Sequence, residues 1–461
     1  MMSEWSGKHV VILGAARQGI ALATYLVTQG VQVTVTDQKE DNNLQQVMDE
    51  FQGKSVDWVL GGHPQDLLDT ADAVALSGGV PLQIPFVQEA LRRGIPLIND
   101  SQIFLEVVPC PVLGITGSAG KTTTTLLVGK IAACAIGEDR TWVGGNIGNP
   151  LLNDLEQMAE DHLAVMELSS FQLEIMDISP QIACILNITP NHLDRHRTME
   201  AYTQAKAHIL DFQKVTDTAI LNRDDRGSWE LRDRVRGKLI TFGRNKPREG
   251  DQGTYLDQEW IKFWDGSAAQ ELVSLSSIQL RGEHNQLNVL AACAIAIAAE
   301  FPIEAIRQGI EALTGVEHRL EHVRTWGGAE WINDSIATAP ERAIAAIKSF
   351  QEPLVLLAGG RDKDLPWSDF ARLVLDRVRV VICFGEAADL IENALRDALS
   401  EGKGMPFLGK CPGLQEAVQA AAEMIEKGDV VLLSPGGTSF DEFSDFAERG
   451  ETFKKWVHDL S

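Results

Sequence analysis

A glycine-rich segment at residues 114–123, GITGSAGKTT, carries the clearest chemical signature of the chain. Glycines allow several backbone N–H groups to converge on phosphate oxygens, and the start of a helix adds a partial positive charge. In such a loop Lys121 would reach the terminal phosphates and the Thr122 hydroxyl would bind Mg²⁺. The pattern is imperfect because Ile115 stands at the first glycine position. We predict nucleotide phosphate binding, against the alternative of a glycine-rich turn that only begins a helix.

An acidic residue ends a second apolar segment. Glu167 directly follows residues 163–166, which predict a buried strand. A carboxylate at the C-terminal end of a strand beside a phosphate loop can hold Mg²⁺ directly or through water. The alternative is a solvated strand end without any ligand.

A polar cluster, TPNHLDRH at residues 189–196, follows a third predicted strand. Open α/β sheets bind ligands where their strands end. We therefore predict that His192 binds a metal or orders a ligand of one. Lys206 lies on the helix predicted after this cluster, and its surroundings in the sequence are those of an ordinary surface lysine.

Apolar strand-like runs alternate with helical stretches along the chain, which predicts an α/β fold with mostly parallel sheets to position these residues. Residues 9–37 form the first such unit, with a strand, a loop at 14–19, a helix and a strand that ends at Asp37. This layout is typical of nucleotide-binding units. The polar stretch at residues 245–280 predicts hairpins.

The length of 461 residues predicts about three domains. A proline-rich segment near residue 109 and a break between residues 313 and 319 mark the predicted boundaries. We expect a Rossmann-like domain at residues 1–108, a central P-loop ATPase-like domain at 109–316 and a Rossmann-like domain at 317–461.

The composition excludes several classes of protein. The chain has 41 basic and 65 acidic residues, a net charge of −24, which argues against binding to nucleic acid or to an anionic membrane. The longest apolar run has about 11 residues, short of the ~18 that span a bilayer, and the N-terminal residues lack a signal-peptide layout. Six cysteines without a CxxC pair suggest a reducing compartment. We expect a cytoplasmic protein.

The motifs together resemble those of the Mur ligases, three-domain ATP-dependent enzymes of bacterial peptidoglycan synthesis. The likeness is greatest to the branch that adds D-glutamate, and it runs from about residue 10 to residue 454. It is carried by the phosphate loop and by ELSSFQL at 167–173, NITPNHLDRH at 187–196, SPGGTSFD at 434–441 and FAERG at 446–450.

The resemblance implies roles for residues at matching positions. The implied catalytic residues are Lys121, Glu167, His192 and Lys206. The implied metal ligands are Thr122, Glu167, His192 and Lys206, the last as a carbamate. The implied ATP contacts are Gly117, Ser118, Ala119, Gly120, Lys121, Thr122, Thr123, Asn288, Arg319 and Asp334. The implied contacts of the UDP-linked substrate are Gly14, Ala16, Arg17, Asp37, Ser77 and Asn146. The implied contacts of the amino acid are Thr338, Lys363, Ser439 and Phe446; a dicarboxylate needs a cation such as Lys363.

The resemblance also implies the reaction and the partners. ATP and Mg²⁺ would drive the addition of D-glutamate to UDP-N-acetylmuramoyl-L-alanine through an acyl phosphate, in a protein that we expect to be a monomer. Alternatives are a ligase of the same superfamily that adds another amino acid, a Rossmann oxidoreductase, and a non-catalytic nucleotide-binding protein. The lysine of the phosphate loop disfavours the oxidoreductase, and the acid and histidine set disfavours the non-catalytic protein.

Some positions depart from the family pattern. Ala16 replaces the middle glycine of the first loop, where Arg17 could contact a phosphate instead. The residue after Ser77 is not the proline that is often found there. Ile336 and Ala339 stand where lysine and asparagine are frequent. The departures at Ile336 and Ala339 affect the contacts expected of the third domain more than the expected reaction.

Overall fold

The computed structural model describes residues 5–39, 44–313, 315–399 and 406–460 of the chain. The chain folds into two compact units, one of residues 1–278 with 287–312 and the other of residues 279–286 with 313–461. The described residues form three sheets, two in the first unit and one in the second. The predicted α/β fold is confirmed, while the predicted three-domain boundaries stay a prediction.

The first sheet has five parallel strands in the order β3-β2-β1-β4-β5. Its strands are β1 (His9–Leu13), β2 (Gln32–Asp37), β3 (Val56–Leu60), β4 (Ala73–Leu76) and β5 (Leu97–Ile98). Its helices are α1 (Arg17–Thr28), α2 (Gln45–Glu50), α3 (Pro85–Arg92) and α4 (Asp100–Val107). This strand order is that of a Rossmann-like sheet, in which ligands bind beyond the carboxyl ends of the strands.

The central sheet has nine strands in the order β14-β13-β12-β11-β10-β9-β6-β8-β7. Its parallel strands are β6 (Val112–Thr116), β7 (Thr141–Gly145), β8 (Leu163–Glu167), β9 (Ile182–Ile185), β10 (Thr218–Asn222), β11 (Lys238–Phe242) and β12 (Gly253–Asp257). The antiparallel strands β13 (Trp260–Trp264) and β14 (Ala269–Ser274) complete the edge, which confirms the predicted hairpins. The first unit also contains the helices α5 (Lys121–Ile136), α6 (Ser170–Leu173), α7 (Leu193–His196), α8 (Met199–Asp211), α9 (Arg226–Trp229) and α11 (Ile303–Ala312). The helix α10 (Glu283–Ala298) has its first turn in the second unit and the rest in the first.

The third sheet has the order β15-β16-β20-β17-β18-β19. Its strands are β15 (Glu321–Trp326), β16 (Ala329–Asn333), β17 (Leu354–Gly359), β18 (Val378–Phe384), β19 (Phe407–Cys411) and β20 (Val430–Gly436). Its helices are α12 (Pro340–Lys348), α13 (Ser368–Arg377), α14 (Ala388–Ala398), α15 (Leu414–Met424) and α16 (Phe446–Asp459). Strands β17 to β20 follow the Rossmann-like order 3-2-1-4. Within this sheet β15 pairs antiparallel with β16, and the other described pairs are parallel.

The strand order of the central sheet brings the predicted site together. Strand β6 lies between β8 and β9, and all three are parallel, so their carboxyl ends meet at one edge. Ile115 of β6 pairs with Glu167 of β8 in this register. Every residue of β6 and β8 is buried, as the run of apolar side chains predicts for strands covered by helices on both faces.

One carboxyl group is buried far from solvent at the start of α4. Asp100 is the first residue of this helix, which Asn99 caps by accepting a hydrogen bond from the backbone N–H of Gln102. Burial raises the pKa of Asp100 to about 7, although the backbone N–H of Ser101 and the side chain of Gln172 oppose the shift.

None of the described helices is long and apolar enough to cross a membrane.

Candidate active site

The glycine-rich segment forms a loop between β6 and α5, as the sequence predicts. Gly120 caps α5 with a φ of +84°, a conformation that only glycine adopts without strain. A Cβ at this position would lie 2.3 Å from Oδ1 of Asn288, so this implied ATP contact lies directly against the loop. The N-terminus of the 16-residue helix α5 follows and offers its unsatisfied N–H groups to an anion.

Neighbouring side chains hold the loop in place. Asn187 accepts a hydrogen bond from Ala119 N at 2.8 Å and donates one to Ala119 O at 3.0 Å. The Ser118 hydroxyl donates to Thr189 O at 3.0 Å and lies 2.9 Å from the Tyr202 hydroxyl. The sequence placed Asn187 in a motif without giving it a role, because only the fold shows that this motif reaches the phosphate loop.

A buried carboxylate faces the first turn of α5. Glu167 is 2% exposed and accepts hydrogen bonds from the Thr122 hydroxyl at 2.8 Å and from Asn146 Nδ2 at 2.9 Å. The next hydroxyl of the helix, that of Thr123, is buried without a hydrogen-bond partner among the described residues. This hard-oxygen donor set fits Mg²⁺, which prefers a few carboxylate and hydroxyl ligands and keeps several waters.

Two lysines donate to one buried carbonyl of the loop. Lys121 Nζ and Lys206 Nζ each lie 2.9 Å from Gly117 O. Lys206 is 1% exposed, so the surface position that its sequence context suggested is wrong. Burial and the charge of Lys121 hold the pKa of Lys206 well below its ordinary value, against the opposing charge of Glu167. A depressed pKa supplies the neutral amine that carbamate formation requires.

The predicted metal-side histidine has an unusual backbone. His192 is exposed and precedes α7 in the left-handed region at a φ of +53°, which is uncommon for a residue other than glycine. Its ring contacts Phe171 edge-on, with 5.1 Å between the ring centroids. Strained backbone of this kind is concentrated at functional sites. Its role as a metal ligand stays a prediction.

An arginine next to this histidine connects the two sheets of the first unit. The guanidinium of Arg195 lies 3.9 Å from the ring centroid of Phe171. It donates hydrogen bonds to Gly79 O at 3.2 Å and to Val80 O at 2.8 Å, in the loop after β4. This loop begins at Ser77, one of the residues predicted to contact the UDP-linked substrate. Sequence reasoning missed Arg195 because both contacts are more than one hundred residues away in the chain.

The first sheet presents its own loop between β1 and α1. Gly14 has a φ of +95°, and a Cβ there would lie 3.0 Å from Cβ of Ser77. Asp37 at the end of β2 accepts a hydrogen bond from Ala15 N at 2.8 Å. Arg17 begins α1, after Ala16 as N-cap, and its guanidinium donates to Gly148 O at 2.9 Å. Arg17 thus joins this loop to the segment that carries Asn146.

In the second unit, the loop with Arg319 is tied to the end of β16. Asp334 accepts hydrogen bonds from Leu320 N at 3.2 Å and from the Ser434 hydroxyl at 2.8 Å. Burial raises the pKa of Asp334 to about 7, against the opposing Ser434 hydrogen bond and the charge of Arg319. His318 has a φ of +60° and its Nδ1 lies 3.1 Å from Nδ2 of Asn333.

The residues predicted to receive the amino acid lie on loops of the same unit. Lys363 Nζ lies 3.5 Å from the Thr338 hydroxyl, and Phe446 O accepts a hydrogen bond from the Ser335 hydroxyl at 2.7 Å. Ser439 is 2% exposed and follows the glycine loop that ends β20. Four of the acceptors that hold these loops together surround a fully buried arginine, Arg449: they are Ser335 Oγ, Ser335 O, Gly437 O and Thr438 O.

A second group of possible metal ligands lies in the same unit. In the part of the chain that the structure describes, Glu317, His318 and Glu451 are the only set of three such side chains that meet closely. The ammonium of Lys454 already lies 3.1 Å from Glu317 and 2.6 Å from Glu451. A cation of the protein therefore already pairs with both carboxylates of this cluster.

The arrangement in the first unit combines an anion-binding loop, a lysine, and a carboxylate with a hydroxyl for a divalent cation. These groups are suited to the transfer of a phosphoryl group from a nucleoside triphosphate. The second unit adds cations and small polar loops that suit a small anionic substrate.

Family models of known proteins match three segments of the chain. Residues 8–99 match the family model of the Mur ligase MurD-like N-terminal domain. Residues 115–296 match the Mur ligase middle domain, and residues 318–437 match the Mur ligase glutamate ligase domain.

Full-length relatives extend this match. The UDP-N-acetylmuramoylalanine--D-glutamate ligase of Symbiobacterium thermophilum is 39% identical over 455 residues, which cover 98% of each chain. The protein of the same name from Clostridioides difficile is 38% identical over 99% of this chain and 100% of its own. Among solved structures, the UDP-N-acetylmuramate-alanine ligase of Thermotoga maritima aligns with a TM-score of 0.59 at 17% identity, over 98% of this chain and 99% of that one. MurF of Acinetobacter baumannii aligns with a TM-score of 0.58 at 19% identity, over 99% and 91% of the two chains. These two structural likenesses concern the fold alone.

Proposed function

The chain belongs to the Mur ligase family, and on this premise we propose that it is the ATP-dependent ligase that adds D-glutamate to UDP-N-acetylmuramoyl-L-alanine. The reaction is a step in the cytoplasmic synthesis of peptidoglycan precursors. The observation that carries the proposal is the contact of Thr122 and Asn146 with the buried Glu167, next to the phosphate loop. Relatives that are named for this activity match 98% and 99% of the chain.

The proposed reaction activates a carboxylate, which by itself is a poor electrophile. One carboxylate oxygen of UDP-N-acetylmuramoyl-L-alanine attacks the γ-phosphorus of ATP, the bond to ADP breaks, and an acyl phosphate forms. The N–H groups of residues 117–122 and the ammonium of Lys121 orient the triphosphate and balance its charge during the transfer. Lys121 releases Gly117 O to do so.

The donors around Glu167 hold the divalent cation in this proposal. Thr122 and Glu167 would bind Mg²⁺, which supplies positive charge to the phosphate oxygens when it is present. Asn146 donates to Glu167 and so keeps the carboxylate oriented. The neutral amine of Lys206 can attack CO₂ and lose a proton, and the resulting carbamate would be a further anionic oxygen donor.

The second half of the reaction joins the amino acid. The amine of D-glutamate attacks the acyl carbon and a tetrahedral intermediate forms. The nitrogen loses a proton to water, and phosphate leaves with the C–O electron pair. Lys363 and Thr338 are the proposed contacts of the amino acid, and a cation there offsets the charge of a dicarboxylate. Holding both reactants in place can contribute about 7 kcal/mol or more to lowering the barrier.

The first experiment is an assay of ADP release with ATP, Mg²⁺, UDP-N-acetylmuramoyl-L-alanine and a panel of D- and L-amino acids. We expect release with D-glutamate alone. Release with a different amino acid would keep the ligase chemistry and change the acceptor. Absence of release with every amino acid, although ATP binds, would contradict the proposal and favour a non-catalytic nucleotide-binding protein.

Two substitutions test the proposed residues. Lys121→Ala and Lys206→Ala should each lower ADP release by at least about 100-fold, because each removes a group that the transfer of charged phosphate requires. Lys130→Ala is the matched control, since Lys130 lies exposed on the same helix α5. Full activity of either Lys121 or Lys206 variant would contradict the assignment of the site.

A further inference from the structure

Two cations of the second unit face one loop without a carboxylate partner. Arg342 lies in the first turn of α12, is exposed, and donates a hydrogen bond from NH1 to Ile336 O at 3.3 Å. Lys363 is exposed, and its Nζ lies 3.5 Å from the Thr338 hydroxyl. Neither residue makes an ion pair with any residue that the structure describes. Two positively charged side chains therefore contact the loop of residues 336–338.

The charge of Arg342 acts on Lys363. Burial lowers the pKa of Lys363, and the positive charges of Arg342 and Arg449 lower it further. Arg342 also acts on the carboxyl of Asp334: its positive charge opposes the rise in pKa that burial causes there. Arg342 is thus electrostatically part of the site rather than of the distant surface.

The third cation of the group has a structural task. The guanidinium of Arg449 is fully buried and donates to the carbonyls of Ser335, Gly437 and Thr438. The charges of Asp441 and Glu442 act on it as well. Only Arg342 and Lys363 remain to bind an anion that enters from solvent.

An exposed arginine in a helix most often serves solubility. Two observations argue against that interpretation for Arg342. Its side chain turns back to the carbonyl of Ile336. The protein has a net charge of −24, yet Arg342 forms no ion pair with a carboxylate among the described residues. Ile336 is itself the position where the family resemblance leads us to expect a lysine, and an isoleucine there brings no charge. An arginine six residues later would restore the lost cation.

We propose that Arg342 is a specificity-determining residue that binds one carboxylate of the acceptor amino acid, while Lys363 binds the other. The inference rests on the proposed function, because it assigns two cations to the two carboxylates of glutamate. A guanidinium can bind a carboxylate through two parallel N–H groups, which a lysine at position 336 could not do. The acceptor site of this chain would then select a dicarboxylate with Arg342, in place of the lysine that the family resemblance leads us to expect at position 336.

The test compares the Michaelis constants of variants at position 342. Arg342→Ala should raise KM for D-glutamate by about tenfold or more, because it removes a charge-assisted pair with one carboxylate of the amino acid. KM for ATP and for UDP-N-acetylmuramoyl-L-alanine should change by less than about twofold, which a general loss of structure would not allow. Arg342→Lys should give an intermediate value. The matched control is Glu341→Gln, an exposed neighbour in the same helical turn that should leave every KM unchanged.

A second variant makes the test independent of folding defects. Adding Ile336→Lys to Arg342→Ala should lower KM for D-glutamate again, since it returns a cation to the same loop. D-Glutamine, which lacks the second carboxylate, identifies the carboxylate that is bound: a variant that no longer distinguishes D-glutamate from D-glutamine has lost the contact with the side-chain carboxylate. An unchanged KM for D-glutamate in Arg342→Ala would overturn the inference.

The amino acid that supports ADP release by the wild-type protein shows whether the inference or the proposed function is at fault. If it uses another dicarboxylate instead of D-glutamate, the proposed acceptor is wrong, and the same variants are compared with that acceptor. If its acceptor has a single carboxylate, the inference fails and the ligase activity stands. If no amino acid supports ADP release, both are overturned.

Discussion

At the scale of single residues, Asp100 links the pH of the solution to the stability of the fold. Its carboxyl is almost completely buried, and its Oδ1 has no hydrogen-bond partner among the described residues. Burial raises its pKa from 3.8 to about 7. Between these two values the folded state keeps a proton that the unfolded state has released. The free energy of unfolding therefore falls as the pH rises from about 4 to about 7.

We predict that Asp100→Asn stabilises the protein more at pH 8 than at pH 5. The difference between the two pH values should be about 2 kcal/mol, which corresponds to about 4 °C or more in the midpoint of thermal unfolding. The exposed Asp66 gives the control variant, Asp66→Asn, for which the effect should not depend on pH. An equal effect of Asp100→Asn at both pH values would show that the carboxyl titrates normally.

Single residues were predictable from the sequence where a local pattern identified them. Lys121 follows glycines at a helix start, and Glu167 follows an apolar strand, so both could be placed at a phosphate site before any fold was known. Lys206 and Arg195 could not, because their surroundings depend on contacts between distant segments. The burial of Lys206 follows from packing of α8 against the central sheet, which no local pattern encodes.

At the scale of elements, the junction of the phosphate loop with α5 depends on a single glycine. We predict that Gly120→Ala raises KM for ATP by about tenfold or more, because the left-handed backbone strains an alanine and its Cβ would collide with Asn288. Gly250→Ala is the matched control: Gly250 has a φ of +86°, and a Cβ there meets nothing within 4 Å. This control should lose stability without any change in KM for ATP.

The link between β4 and the segment before α8 provides the second prediction at this scale. Arg195→Ala removes two charge-assisted hydrogen bonds to the loop that begins at Ser77, together with the contact with Phe171. We expect KM for UDP-N-acetylmuramoyl-L-alanine to rise by about tenfold and KM for ATP to stay within about twofold. Arg226→Ala, which breaks an exposed ion pair elsewhere, should have no effect on either constant. A rise in both constants with Arg195→Ala would indicate a general defect instead.

Elements with a strong apolar pattern were predicted well, and short elements were not. The strands β1 and β8 lie within about one residue of their predicted bounds, and the hairpins at the edge of the central sheet were predicted from the polar stretch at residues 245–280. The four-residue helix α7 has too few residues for a helical period to be visible. The left-handed His192 before it has no sequence signal at all, since its conformation is set by the packing of the turn.

At the scale of the whole molecule, the net charge of −24 opposes the approach of substrates that are all anions. We predict that KM for UDP-N-acetylmuramoyl-L-alanine falls by about twofold when the ionic strength rises from about 10 mM to about 150 mM, because the Debye length shrinks from about 30 Å to about 8 Å. Initial rates at constant free Mg²⁺ measure this. A KM that rises with salt would show that the cations of the site, and not the net charge, control binding.

The organisation of the whole chain was only partly predictable. The sequence indicated three layered α/β regions, and the three sheets lie where the apolar runs are. It did not indicate that residues 279–286 belong with the third sheet. Arg281 forms ion pairs with Glu330 and Glu352 at 2.8 Å, and such contacts depend on side chains about 50 and 70 residues later in the chain.

The carbonyl of Gly117 has a built-in redundancy. Because Lys121 and Lys206 both donate to it, either one can leave while the other keeps this buried acceptor satisfied. Lys121 would leave to reach a phosphate, and Lys206 would leave on becoming a carbamate. The two changes therefore depend on each other, because the second one would leave Gly117 O without a hydrogen-bond donor. In a protein kept free of CO₂, Lys206 stays an amine and continues to donate to Gly117 O when Lys121 moves to the phosphates. Such a protein should therefore still bind ATP, although it lacks the carbamate that we expect catalysis to need.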